Sequence, residues 1–237
     1  MMTRILAIET ATEACSVALL LEDEVQERFE VAPRQHAALL LPFVESLLAA
    51  AGLALSRLDA IAFGCGPGSF TGLRIAAGMT QGLAFGADLP VVPVSTLAAL
   101  AQGTVAQHGA QAVLAALDAR MKEVYWGAFR CDENGLVDPL GGEAVCVPQR
   151  VRVPTPDHWV GAGSGWDSYA DVLATQCSMA SGDIYRNQKP HAADVAHLAA
   201  RAFGQGDAVS AEQAIPVYLR NNVANKPSGI KSQTDET

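Results

Sequence analysis

Residues 64–78 of this chain read Gly-Cys-Gly-Pro-Gly-Ser-Phe-Thr-Gly-Leu-Arg-Ile-Ala-Ala-Gly, a corner that invites comparison with phosphate-binding loops. Glycines between a strand and a helix permit positive φ and let a ligand or another backbone come close. The free amides of a helix start attract phosphate. The spacing excludes the common versions, because the P-loop ends on Gly-Lys-Ser/Thr and the dinucleotide fingerprint needs GxGxxG. Here Ser69 stands three residues after Gly66, and Thr71 three after Gly68. Ser69 or Thr71 can instead cap the first turn of the helix that follows.

Other constellations are open to two readings. Glu9-Thr10-Ala11-Thr12 sets a carboxylate and two hydroxyls after an apolar run. Glu9, Thr10 and Thr12 are therefore candidate contacts to ATP phosphates or their magnesium; the alternative is a hairpin turn held by local side-chain hydrogen bonds. Asp118, Arg120 and Glu123 fall at a strand–strand corner, where turn and ion-pair roles are the commoner use. Gly161, Gly163 and Gly165 precede a helix and can face an adenosine or a phosphate, but no lysine is nearby, and a plain corner explains them as well. No two histidines stand four apart, so the helical metal arrangement is absent. There is no GxSxG elbow, and the SxxK spacing of Ser228 and Lys231 lies in a polar tail. No catalytic set and no metal site assemble.

The helix that starts near Ser69 carries Gly78, Gly82 and Gly86 at four-residue intervals. Each glycine inside a helix costs about 1 kcal/mol relative to alanine, so three on one face call for a compensating gain. Ile75 and Met79 lie beside them. Such a groove suits close approach of a second helix, either from this chain's own core or from another protein.

These residues need elements to position them. Arg4–Ile8, Cys15–Leu21 and Val25–Val31 read as strands, the last alternating like an edge strand. Gln35–Ala51 reads as a helix apolar on nearly every side, and so buried on two sides, with Pro42 bending it or marking its start. Leu58–Phe63, the glycine corner and its helix, Val91–Val94, and a short helix from Ser95 to Ala101 complete one α/β lobe, residues 1–109. A second α/β lobe, residues 110–224, holds strands at Ala112–Leu117 and Glu123–Phe129, an irregular stretch over Leu136–Val153, and helices to about Leu173 and over Ala192–Phe203. Its last helix can pack back on the first lobe. Residues 225–237 read as a disordered tail.

At 237 residues, with half of them apolar and 17% charged, the chain has ample material for a core. No signal peptide and no membrane span are expected. Five cysteines without a CxxC pair read as small buried hydrophobes in a reducing cytoplasm. The net charge of −9, with no run of basic residues, predicts weak binding to nucleic acid by the isolated chain.

Ile5–Leu19, Gly64–Gly78 and Asp118-Ala119-Arg120-Met121-Lys122-Glu123-Val124-Tyr125 together resemble the bacterial TsaB (YeaZ) family, and Ile215–Arg220 is similar too. The resemblance runs from Ile5 to about Lys226. It implies an actin-like ASKHA (sugar kinase/Hsp70-like) fold of two α/β lobes. It also implies a part in placing threonylcarbamoyl on the adenosine beside the anticodon of tRNAs that read codons starting with A. In that family a TsaD partner holds the metal and catalyses transfer, a TsaE ATPase joins, and TsaB is a non-catalytic subunit dimerising with TsaD or with itself. The resemblance thus implies ATP used by the complex, no cofactor held by this chain, and tRNA met only through the complex. The helix after Ser95 lacks the His-x-x-x-His expected of TsaD. The expected partner face is Leu39, Phe43 and Leu47 with Ser69, Phe70, Thr71, Gly72, Arg74, Ile75, Gly78, Met79, Gly82 and Gly86. Competing readings are an ATP-dependent phosphotransferase of the same fold, and a peptidase, which the family's older glycoprotease label suggests but for which no nucleophile–base pair exists.

Overall fold

The computed structural model describes residues 3–155 and 158–220. The expected tail, with Ser228 and Lys231, lies outside the described residues, as do the last residues assigned to the second lobe. The apolar opening run forms β1 (Arg4–Glu9), followed by β2 (Ala14–Leu21) and β3 (Glu24–Val31). Every β1 residue after Arg4 is buried, whereas β3 is mostly exposed, as its polar alternation predicts for an edge strand. Next come α1 (His36–Ala51), β4 (Ala60–Gly66), α2 (Phe70–Ala87), β5 (Val91–Ser95) and α3 (Thr96–His108). β4 runs further than its apolar residues suggest, because Gly64 and Gly66 still pair with Val94 and Ser95 of β5. α3 reaches His108 rather than stopping near Ala101. The Ser95 hydroxyl caps it by accepting from the amides of Leu97 and Ala98, and it continues because its residues are buried between two sheets.

The second lobe contains β6 (Ala112–Arg120), β7 (Glu123–Cys131), β8 (Val137–Pro139), β9 (Ala144–Cys146), β10 (Trp159–Ala162), α4 (Ser164–Cys177), β11 (Ile184–Tyr185) and α5 (Ala192–Gln205). The first sheet is ordered β3-β2-β1-β4-β5, with the first three strands antiparallel and the last two parallel. The second, read as β8-β7-β6-β10-β11, repeats that order and those directions. This duplication is invisible in the sequence, which has no internal repeat.

Three apolar clusters hold the layers together. One lies between the sheets, where α3 and α5 pack against Ile5, Ala62, Val113, Leu117 and Phe129. α5 crosses back onto the first sheet, reaching β1, β2, β4 and β5. A second cluster puts Leu40, Val44 and Leu47 of α1 and Ala76, Ala77 and Ala84 of α2 on the outer face of that sheet. The third places Trp166 and Leu173 of α4 on the outer face of the second sheet. The layers are thus helix, sheet, helix, sheet, helix: two lobes of the actin-like ASKHA architecture.

α1 is not buried on two sides as its composition suggests. Only His36, Leu40, Val44 and Leu47 are buried, and Leu41 is 43% exposed. Pro42 sits within the helix without ending it. The cysteines also divide: Cys15 and Cys65 are buried, while Cys131, Cys146 and Cys177 are only half-buried. Burial pushes the Cys65 thiol up to about 12. Among the described residues no helix is long and apolar enough to cross a membrane.

Candidate functional site

Two features qualify: the cleft between the lobes, and the outer face of α1 and α2. The cleft has a volume of about 920 Å³. Its walls are the β1–β2 turn, the glycine corner, the β6–β7 turn, the start of α4 and the segment Val217–Arg220.

At the glycine corner the chain takes up two of the amides itself and packs its own backbone against the glycines. The Ser69 amide donates to the Ala11 carbonyl at 2.7 Å, and the Gly72 amide donates to the Ser69 hydroxyl at 3.4 Å. A Cβ on Gly72 would overlap the Thr10 carbonyl, and one on Gly64 the Glu9 carboxylate. These glycines exist so that the β1–β2 turn can lie against the corner. On the far side the Val217 amide donates to the Cys65 carbonyl at 2.7 Å.

Two of the three nucleotide candidates are buried by this packing. Glu9 is 1% exposed and Thr10 fully buried. Glu9 accepts from the Ala11 amide at 2.6 Å and from the Thr96 hydroxyl at 3.3 Å, and burial raises its carboxyl from 4.5 to about 7. The Thr10 hydroxyl donates to the Gly72 carbonyl at 2.8 Å. Only Thr12 lines the cleft, and its hydroxyl accepts from the Ala14 amide. Gly161, Gly163 and Gly165 form a packed corner: side chains there would strike Trp166, Leu100 and Ala116.

At the β6–β7 turn, Asp118 accepts from the Arg120 amide at 2.8 Å and pairs with its guanidinium at 3.3 Å, while Glu123 pairs with Arg220. Arg120, Met121 and Lys122 all have positive φ (62, 53 and 64°), a conformation unfavourable for side chains of this size. The sequence marked Ile215–Arg220 as family-like but not that Val217–Arg220 forms a strap along the cleft. In it Tyr218 meets the Phe70 ring at 5.3 Å and the Arg74 Nε at 3.3 Å, and Arg220 reaches the second lobe. The apolar Ile-Pro-Val-Tyr-Leu run before the tail was the available signal.

The expected partner face divides in the same way. Leu47 is fully buried in the outer core of the first lobe, and Gly72 is buried against the β1–β2 turn, so neither offers a surface to a partner. Leu39, Phe43, Ile75 and Met79 are half-buried. Ser69, Phe70, Thr71 and Arg74 are exposed, with the Arg74 guanidinium 3.8 Å above the Phe70 ring. Gly78, Gly82 and Gly86 are exposed too, and a Cβ on any of them would meet nothing within 4 Å. Packing inside this chain is therefore not the gain that offsets them. Phe85, which the sequence reading did not single out, is 77% exposed beside Gly82 and Gly86. Among the described residues no group of three or more His, Cys, Asp or Glu side chains is placed to hold a metal ion.

Comparison with known proteins fits this architecture. The family described as "TsaD: tRNA N6-adenosine threonylcarbamoyltransferase" matches residues 28–227. The Escherichia coli (strain K12) protein named "tRNA threonylcarbamoyladenosine biosynthesis protein TsaB" is 46% identical over 229 residues, covering 94% of this chain and 97% of that protein. Its Haemophilus influenzae namesake is 42% identical, covering 94% of this chain and 95% of its own length. The solved structure of YeaZ from Pseudomonas aeruginosa superposes with a TM-score of 0.85 at 50% identity, covering 92% of this chain and all of the other. With relatives this similar over almost its whole length, and with the two-lobed fold they share, this chain belongs to the TsaB (YeaZ) family.

Proposed function

We propose that this chain serves tRNA threonylcarbamoyladenosine biosynthesis as a non-catalytic subunit, acting in the cytoplasm by pairing its α1–α2 face with a TsaD-like transferase. The observation that carries this reading is the outward glycine stripe of α2. Gly78, Gly82 and Gly86 weaken the helix and pack against nothing in this chain. A partner helix laid along the stripe, flanked by Met79, Phe85 and the Phe70–Arg74 stack, supplies the missing gain. The same face forms a homodimer when the chain is alone. A TsaE-like ATPase completes the assembly, ATP is consumed by the complex, and tRNA is engaged only through it. The relatives' names support the pathway, and the acidic charge supports engagement of tRNA through the complex. Burial of Glu9 and Thr10 weakens the phosphotransferase alternative, whose phosphate contacts they were to provide.

The test is Gly82→Leu. A leucine at the centre of the stripe overpacks the contact, at a cost of about 1–3 kcal/mol, so affinity for the TsaD-like subunit should fall roughly 5- to 150-fold. Binding measured by calorimetry at unchanged affinity would place the interface elsewhere.

A further inference from the structure

The second lobe repeats the strand order of the first, and α4 and α5 follow its last two strands as α2 and α3 do, but among the described residues α1 has no counterpart. In the first lobe the connection from the third to the fourth strand of the sheet is α1, which covers β2. Among the described residues the corresponding connection in the second lobe, from β8 to β10, holds only β9 and the 3-10 turn Pro148–Arg150. Over β7, the counterpart of β2, this leaves a cavity of about 700 Å³, within the roughly 300–1,000 Å³ typical of small-molecule sites.

The cavity is built rather than incidental. Trp126 and Ala128 of β7 line it together with Val145, Val147 and Pro154. Val151 is 3% exposed and belongs to the core beneath, with an extended backbone (φ −60°, ψ 143°). Arg150 and Arg152 flank it, both exposed, and both line the cavity. The backbone beneath them is pinned at each residue. The Arg150 amide donates to the Val147 carbonyl at 2.9 Å, Gln176 donates to the Val151 carbonyl at 3.4 Å, and the Trp126 indole donates to the Arg152 carbonyl at 3.0 Å. Among the described residues neither guanidinium has an ion-pair partner, and Glu123 at the cavity wall is already paired with Arg220. Two cations without an ion-pair partner therefore line one cavity on a chain of net charge −9.

We propose that this cavity binds a nucleotide unit, its phosphate between Arg150 and Arg152 and its base against the apolar wall. Guanidinium forks match phosphate oxygens, and aromatic or arginine planes hold flat bases. The mixture of apolar side chains with exposed loop backbone at Leu140–Gly142 suits a ring that carries heteroatoms. A free nucleotide and a nucleotide of single-stranded RNA share this chemistry. The site lies on β7 and β9, remote from α1 and α2, so it stands or falls apart from the partner reading.

The test uses the whole protein with two probes: AMP by calorimetry, and a short fluorescein-labelled oligoadenylate by anisotropy. Arg150→Ala and Arg152→Ala should each weaken binding about tenfold, the loss expected for charge-assisted bonds to phosphate. Arg57→Ala, an exposed arginine of the first lobe, should leave binding unchanged. Ala144→Phe should block the cavity without touching either arginine, with circular dichroism melts confirming that every variant folds. AMP binding with this pattern identifies a free nucleotide; oligoadenylate binding with the same pattern, and no AMP binding, identifies RNA. The proposal is overturned if neither probe binds, if binding survives both arginine substitutions, or if inorganic phosphate competes as well as AMP.

Discussion

Replacing Gly78, Gly82 and Gly86 together by alanine sets the stability of the isolated chain against its use of that helix face. Each new methyl group enters open space, with no atom of this chain within 4 Å. The helix should gain about 1 kcal/mol per site, through lower backbone entropy in the unfolded chain. The methyls do not share a partner, so the gains should add to roughly 2–3 kcal/mol. At about 2–4 °C per kcal/mol for a chain of this size, the melting temperature should rise by roughly 4–12 °C. The assay is thermal unfolding followed by far-ultraviolet circular dichroism over a dilution series, since self-association makes the melting temperature depend on concentration. At the dilute limit the variant should be the more stable protein, while its affinity for the TsaD-like subunit should be the weaker one. A lower melting temperature at that limit would show that the glycines serve packing within this chain, and the argument for an outward stripe would be refuted.

Glu9 provides a pH test. Burial raises its carboxyl from 4.5 to about 7, so the folded state favours the protonated form. The stability linked to this group is whole below about pH 4.5 and is lost as pH rises through about 7. Glu9→Gln retains an acceptor for the Ala11 amide and abolishes the ionisation, so the variant should be more stable than the parent at about pH 8, by on the order of 3 kcal/mol. Urea unfolding at about pH 5 and about pH 8 checks this, and equal pH profiles in parent and variant would contradict it. Asp194, also raised to about 7 by burial, should leave the variant a residual decline of the same sign. At the β6–β7 turn, Lys122→Gly should stabilise the chain by about 1 kcal/mol, because Lys122 holds a φ of 64° that glycine adopts freely. A melting temperature that does not rise would show that the lysine side chain makes a compensating contact.

Much of the fold was legible because apolar runs and turn residues are local signals. β1, β2, α1, α2 and the start of α3 emerge from residues 4–96 almost as read, and the Ser69 and Ser95 caps follow from hydroxyls placed before helical runs. The site was less legible. Leu47 and Leu41 are both leucines on one apolar helix, yet one is fully buried and the other 43% exposed. Composition reports that such a helix has apolar surface to bury, but not which side meets the sheet. Glu9 read either as a nucleotide contact or as part of a turn held by local hydrogen bonds, and it does accept from the Ala11 amide. Its burial depends on Thr96, distant in sequence, and on Gly64, whose missing side chain makes room for the carboxylate.

The sequence alone determined the α/β character, the glycine corner and the four-residue spacing of Gly78, Gly82 and Gly86, because these are properties of neighbouring residues and their backbone preferences. The motifs around Ile5, Gly64 and Asp118 were enough to indicate the family. Tertiary structure alone decided which glycines do what. Gly64 of β4 leaves room for the Glu9 carboxylate and Gly72 of α2 for the Thr10 carbonyl, while the stripe further along α2 faces outward onto nothing. It also decided that the second lobe repeats the strand order of the first while, among the described residues, no counterpart of α1 covers the outer face of β7. Helical periodicity says which residues share a face, but the face that is buried is chosen by the sheet it packs on, and that choice is made by contacts between residues far apart in the chain.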